Sequence, residues 1–198
     1  MSSARRESGP VASAVAASID AALALALSDD RDAPPWPAER RLAGLFADLA
    51  GQGAQARARE IEALIWALWS NHVDPALDHA MGEAIEALAA RRHAQARVML
   101  DRLVAAAPDW AEAWNKRATL AFVEGRDADS LGDIVRTLAR EPRHFGALAG
   151  LGQICLRHDR PREALAAFDV ALRINPHMEG VARTVSSLRQ ELGQGDLN

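Results

Sequence analysis

The sequence predicts an all-α protein of repeated helical units stacked one after another and closed at the C-terminal end by a single capping helix. Three observations predict it. The 198 residues include 43 Ala against 10 Val and 7 Ile, with aromatics at 5%. A chain this rich in the best helix former and this poor in β-branched and aromatic residues does not favour a sheet. Prolines recur at Pro75, Pro108, Pro142 and Pro176, spaced 33, 34 and 34, and the segments between them align without a gap, the mark of a repeat architecture. Apolar residues also fall at helical intervals, as at Ile61, Leu64, Ile65, Leu68 and Trp69, one stripe of a helix.

Taken in order, residues 1–37 read as an N-terminal tail, disordered or weakly helical, or as an export signal. Arg5 and Arg6 precede a small-residue run from Val11 to Ile19 and a second apolar run from Ala21 to Leu27. Ala24-Leu25-Ala26 imitates a small-x-small cleavage site. Asp20 lies in the would-be apolar core, where a carboxylate opposes insertion, and Glu7 weakens the basic start. Ser28 to Asp32 and then Pro34-Pro35-Trp36-Pro37 end the segment. The repeat domain is expected over 38–198. A helix over 38–50 and another over 54–72, separated by Gly51-Gln52-Gly53, predict a divergent leading unit spanning 38–76. Repeats of two helices follow at 77–110, 111–144 and 145–178. A capping helix over 178–192 turns Val181, Val185, Leu188 and Leu192 inward, and the tail from Gly193 frays.

Down the aligned repeats, residue size agrees as well as polarity. Position eight holds Ala84, Ala118 and Gly152, and position twenty holds Ala96, Ser130 and Ala164. Position twenty-four is large and apolar: Leu100, Ile134 and Phe168. Small residues let the two helices of a unit approach, and the bulky residue fills the gap. Each proline ends a second helix, because it lacks an N–H and disfavours helix in the residue before it. Turn chemistry joins the helices at Glu124-Gly125-Arg126-Asp127 and His158-Asp159-Arg160-Pro161.

These columns resemble the tetratricopeptide repeat (TPR), a 34-residue pair of antiparallel helices. The last unit matches best, through Leu148, Leu151-Gly152, Cys155, Ala164, Phe168, Ala171 and Pro176. The middle unit matches at Trp114, Ala118, Ile134 and Pro142, but has Arg117 for the usual Leu and Ser130 for the usual Ala. The first is degenerate, with Glu83 for that Leu. The resemblance implies a right-handed superhelical solenoid whose first helices line a concave groove at positions two, five, nine and twelve. Those positions are Glu112, Asn115, Thr119 and Phe122 in the middle unit. In the last they are Gly146, Ala149, Gln153 and Leu156, and in the first Asp78, Met81, Ile85 and Leu88. Glu112, Asn115, Lys116, Thr119, Phe122 and Gln153 are therefore the candidate ligand contacts, in a mixed polar and apolar groove suited to an extended peptide or an amphipathic helix. Of the Lys/Asn/Arg clamp that some family members use on a chaperone's C-terminal carboxylate, Asn115 and Lys116 alone have counterparts, so that specialised partner is not expected.

Arg117 in a core column needs a carboxylate, because uncompensated removal of a charge from water costs several kcal/mol or so. Asp129 or Asp133 on the facing helix is the expected partner, with a ligand contact as the alternative. Trp114 reads as packing, or alternatively as a peptide anchor.

Other chemistry is weakly signalled. With 23 basic and 27 acidic residues, a net charge of -4, the chain lacks the basic footprint of nucleic-acid binding. No apolar run reaches the length of a membrane span. The lone Cys155 occupies a helix-contact column and reads as structural; it permits neither an internal disulfide nor a Cys-based zinc site. The six histidines have no ligand spacing, and His144, His158 and His177 read as exposed turn residues. Asp127 and Asp129 stand at a helix start, where carboxylates suit the dipole. No Gly-rich phosphate loop or Gly-x-Ser-x-Gly elbow is present. The expectation is thus a non-enzymatic scaffold for a protein or peptide partner, without cofactor, metal or catalytic residues. A structural or self-associating subunit is the alternative, with Trp66 and Trp69 as its contact. The 22 Arg against a single Lys, with the Ala bias, suit a GC-rich bacterial genome. A cytoplasmic location is favoured, or the periplasm if residues 1–26 act as a signal.

Overall fold

The computed structural model describes residues 10–28, 37–51 and 53–195, and among these every regular element is helical. Ten α-helices follow one another: α1 (Pro10–Leu27), α2 (Pro37–Ala50), α3 (Ala58–Ser70), α4 (Pro75–Ala89), α5 (His93–Ala106), α6 (Ala111–Val123), α7 (Asp127–Arg140), α8 (Phe145–Arg157), α9 (Pro161–Ile174) and α10 (Glu179–Gly195), with a 3-10 turn at Ala54–Ala56. The most extensive contacts join α4 to α5, α6 to α7 and α8 to α9. These are the three repeat pairs.

The size columns explain the pairing. Ala84, Ala96, Ala118, Ser130 and Ala164 are buried, as are Leu100, Ile134 and Phe168. At Gly152 the fit leaves no room for a side chain, since a Cβ there would lie 2.4 Å from the Phe168 ring. Ser130 in place of Ala keeps its hydroxyl satisfied by donating to the Ala118 carbonyl at 2.8 Å. The turn inside each pair closes the same way in all three repeats. Arg91, Gly125 and Asp159 share one column and have φ of 56°, 74° and 55°. The N–H of the following residue then reaches back five residues, Arg92 to Ala87, Arg126 to Ala121 and Arg160 to Cys155, which satisfies the carbonyls left over at the helix end.

Two N-terminal segments depart from the expected organisation. Residues 10–27, expected as a tail or signal, form the packed helix α1. Its Val15, Ile19, Ala22, Leu23 and Ala26 join the core of the last two repeats, against α7, α8 and α9. Asp20, which looked like an obstacle, accepts from Arg160 at 2.7 Å, and Arg160 also donates to the Ala16 carbonyl. The expectations for residues 1–9 and 29–36, including the arginine pair and the proline stop, lie outside the described residues.

The second departure concerns α2 and α3. They form a hairpin, but it does not continue the stack as a leading unit on α4. Leu42, Leu49, Ile61, Ile65 and Trp69 instead share a core with Phe145, and Ile174 and Met178 pack against it. The hairpin thus lies over the turns that lead into α8 and α10, and α3 also packs on α6. His177 contributes a hydrogen bond to the Leu49 carbonyl at 3.0 Å. Residues 71–74 join the hairpin to α4, and Val73 there is 97% exposed. Asp74 caps α4 by accepting from the Ala76 N–H at 2.8 Å, a preferred capping residue followed by a proline at the first helical position.

Candidate functional site

The six residues marked by the sequence divide into two groups. Asn115, Thr119 and Phe122 on α6 and Gln153 on α8 line one cavity of about 120 Å³, together with Gly146 and Gly150. Its floor is Ala118, Ser130, Ile134 and Ala147. Thr119 and Gln153 are exposed and Phe122 is half-buried. The Thr119 hydroxyl donates to the Asn115 carbonyl at 3.0 Å, and the Arg157 guanidinium stacks 3.8 Å over the Phe122 ring. Gly150 keeps the α8 wall low, so main chain can approach it closely, whereas the space beside Gly146 is taken by the Trp66 indole. Sequence reasoning marked Gly146 as a groove position and missed Gly150, which falls one helical turn later.

Glu112 and Lys116 do not belong to that open surface. Glu112 is 1% exposed and is engaged by three donors. Asn115 donates to its Oε2 at 3.0 Å, and His144 Nε2 lies 2.8 Å from the same oxygen. Lys116 Nζ stands 2.8 Å from Oε1, an ion pair by distance without the alignment of a good hydrogen bond. Burial works to raise the carboxyl's pKa, but the hydrogen bond from His144 and the Lys116 charge outweigh it and hold the group below the usual carboxylate range. Glu112 is therefore an internal counter-ion and not a ligand contact; the cause is that α3 and His144 cover it. Lys116 is turned the same way, with its ammonium 5.2 Å from the Trp66 ring centre.

His144 also corrects the reading of it as an exposed turn residue. It is fully buried. Its Nδ1 accepts from the Ala147 N–H at 3.1 Å and so caps α8. With Nδ1 acting as an acceptor, Nε2 carries the proton and donates to Glu112. Trp69 stacks on the imidazole with ring centres 4.2 Å apart. The available sequence signal was position: His144 immediately precedes the first residue of α8, where caps sit. His158 is half-buried, within 2.9 Å of Asp127, which also accepts from Arg157.

Trp66 and Trp69, the expected subunit contact, are engaged inside the chain. Trp66 sits in the notch above Gly146, where an added Cβ would come within 2.5 Å of the indole. Trp69 Nε1 donates to Glu141 at 3.4 Å, and the Trp69 carbonyl accepts from Trp110 Nε1 at 2.7 Å.

Arg117 forms the core ion pair. Its Nε and Nη2 donate to the two oxygens of Asp133 at 2.8 and 2.9 Å, and Nη1 reaches Asp101 at 2.9 Å. Asp129, the other candidate partner, is taken by Arg126. Trp114 is 9% exposed and its Nε1 donates to the Pro108 carbonyl at 2.8 Å. Arg117, Arg136 and Arg140 stand 4.9, 5.0 and 5.4 Å from its ring centre, a packed cation–π cluster. A larger depression of about 470 Å³ adjoins it, lined by Arg97, Asp101, Arg117, Arg126, Asp129 and Arg136 among others. Its charges neutralise one another, with Arg97 and Arg126 also sharing Glu124, so it presents no single-sign site.

Cys155 is buried, and burial pushes its thiol up to about 11, which leaves little thiolate for nucleophilic chemistry at neutral pH. Among the described residues no three His, Cys, Asp or Glu side chains converge in a metal-binding group, and no helix is long and apolar enough to cross a membrane.

Over 164 residues the chain is 34% identical to a TPR repeat-containing protein of Rhizobium etli, an alignment covering 83% of this chain and 80% of that protein. Two solved structures are similar in fold. A MamA mutant aligns with a TM-score of 0.50 and 17% identity, over 80% of this chain and 91% of its own. MamA MSR-1 aligns with a TM-score of 0.50 and 17% identity, over 78% and 87%. No protein-family model matches the chain.

Proposed function

Because the chain belongs to the tetratricopeptide repeat proteins, we propose that it is a non-enzymatic interaction scaffold that takes a protein or peptide segment in the groove between α6 and α8. The observation that carries this reading is the cavity itself. Four side chains chosen from the repeat register, Asn115, Thr119, Phe122 and Gln153, line it beside two glycines. Its floor is apolar and its rim offers a hydroxyl and an amide, Thr119 and Gln153. An apolar side chain of the ligand fills the floor while its backbone bonds to the rim, the division of labour that peptide grooves use.

The test uses the exposed rim, so that the fold is not at stake. A displayed library of random peptides is panned against the wild-type chain and against a Thr119→Arg, Gln153→Arg variant. Peptides selected on the wild type are expected to lose at least tenfold in affinity for the variant. Selected peptides that bind both chains equally, with the variant's helical signal and melting unchanged, rule the groove out.

A further inference from the structure

The hairpin α2–α3 is attached to the repeats as a ligand is attached to a receptor. Apart from Trp110 at the end of the first repeat, it packs on α6 and on the turns entering α8 and α10. The surface beneath α3 is built entirely by residues of the repeats. Gly146 supplies a notch for Trp66. His144 supplies a flat ring for Trp69, Glu141 accepts from its indole, and Trp110 donates to its carbonyl. Lys116 lies against the other indole.

Gly146 has no role in stacking the repeats. The nearest atoms to an added Cβ belong to Trp66 and the His144 ring, not to a neighbouring repeat helix. The same position carries Asp78 in the first repeat and Glu112 in the second. The floor is also cross-braced, because Glu112 ties Lys116, Asn115 and His144 together beneath α3. A braced floor, an aromatic anchor in a notch and a few aimed polar groups are what a helix-binding surface requires. The interface on the α3 side is aromatic and half-exposed: Trp66, Leu68, Leu45 and Phe46 are only partly buried.

We infer that the surface formed by Trp110, Lys116, Glu141, His144 and Gly146 is a docking site for an amphipathic helix bearing two aromatic residues three positions apart, and that α3 is its resident, displaceable occupant. The partner is a protein helix carrying that pair. Gly146 also borders the α6–α8 cavity, but the rim residues Thr119 and Gln153 make no contact with α3, so changing them tests the cavity separately. A segment held by a four-residue tether competes at an effective concentration of the order of millimolar. A free helix of micromolar affinity is then suppressed in the wild type by a factor of roughly 10²–10³.

The probe is a fluorescein-labelled peptide with the sequence of residues 57–71, titrated into the full chain and into full chain carrying Trp66→Ala and Trp69→Ala. Anisotropy is expected to report binding at least tenfold tighter to the variant than to the wild type. Adding Gly146→Leu to the variant, which fills the notch, is expected to abolish that binding, as is replacing both tryptophans of the peptide by alanine. Equal affinity for variant and wild type, or binding that survives Gly146→Leu, overturns the proposal. If the double variant loses its far-UV helical signal, hydrogen exchange on the wild-type chain decides. Amides of 58–70 are then expected to open ahead of those of α6 to α9, and Gly146→Leu to accelerate them selectively. Exchange of α3 in step with α6–α9 in both chains overturns it.

Discussion

Replacing Glu112 by glutamine tests the buried network more sharply than any other single change. The carboxylate meets His144 and Asn115 on one oxygen and Lys116 on the other. Glutamine keeps the shape but offers one acceptor and one amide. If the acceptor faces His144 and Asn115, the amide points its hydrogens at the Lys116 ammonium. Lys116 is partly exposed and regains water, which offsets some of the loss. Hydrogen bonds to a charged group contribute about 1.5–3 kcal/mol each, and breaking a buried pair costs about 3–5 kcal/mol without such relief. The net expectation for Glu112→Gln is about 2–4 kcal/mol at pH 7. For a chain of this size that is a drop in Tm of roughly 4–16 °C. The pH dependence carries the sign. The carboxyl titrates lower in the folded chain than in the unfolded one, where its value is about 4.3. Its contribution is therefore complete above that value and is lost as the pH falls through the folded-state value. Glutamine does not titrate, so the gap between wild type and variant should close as urea titrations followed by circular dichroism are moved from pH 7 to pH 3. A gap below about 0.5 kcal/mol at pH 7, or one that stays constant down to pH 3, refutes the assignment of Glu112 as an internal counter-ion.

Three further expectations concern the repeats. Gly152→Ala drives a methyl into the Phe168 ring and should cost about 1–3 kcal/mol in urea unfolding; most of that cost should disappear in a Phe168→Leu background, and an additive cycle would contradict the contact. Arg91→Gly relieves a left-handed residue in the first turn and should raise stability by about 0.5–1 kcal/mol; a lower Tm would mean that the Arg91 side chain matters more than its backbone. Arg117→Leu restores the usual residue of the column but leaves the buried Asp133 with the more distant Arg136, 3.8 Å away, so it should destabilise by about 2–4 kcal/mol. Adding Asp133→Leu should recover much of that loss, and a single variant as stable as the wild type would show the ion pair to be dispensable.

The repeat columns were legible because stacking imposes a size at each fixed position. Gly152 faces Phe168 within one 34-residue unit, so the constraint is written locally. Arg117 was legible as a buried charge for the same reason: a guanidinium stands where the repeat usually has Leu, and its partner Asp133 lies on the facing helix of the same pair. The cavity between α6 and α8 follows from that register. The N-terminal third was not legible, because its partners are distant in the chain. Trp66 packs against Gly146, His144 and Phe145, and Asp20 pins its helix through Arg160, all of them far along the chain. Read alone, Asp20 resembles a flaw in a signal, and α2–α3 resembles one more unit in the stack. Periodicity shows that a helix has an apolar face; it does not specify which surface that face meets. Glu112 was misjudged on the same account, since register places it on the groove, where His144 and the returning hairpin bury it.

The return of both N-terminal segments onto the C-terminal repeats has a consequence for synthesis. In a solenoid with neighbour contacts alone, each unit docks as soon as it is made. Here α1 and the hairpin leave the ribosome before the repeats, and the surfaces they cover, on α7 to α9 and on the turns before α8 and α10, are made later. At about 5–20 residues per second, Ile19 and Trp66 wait several seconds or more for their partners. During that interval a mildly apolar helix and a tryptophan-bearing hairpin are exposed together, a situation in which chaperone capture and premature association compete with folding. Once closed, the same long-range contacts tie α1, α2 and α3 across the second and third repeats, and units that would otherwise fray one by one are fastened together.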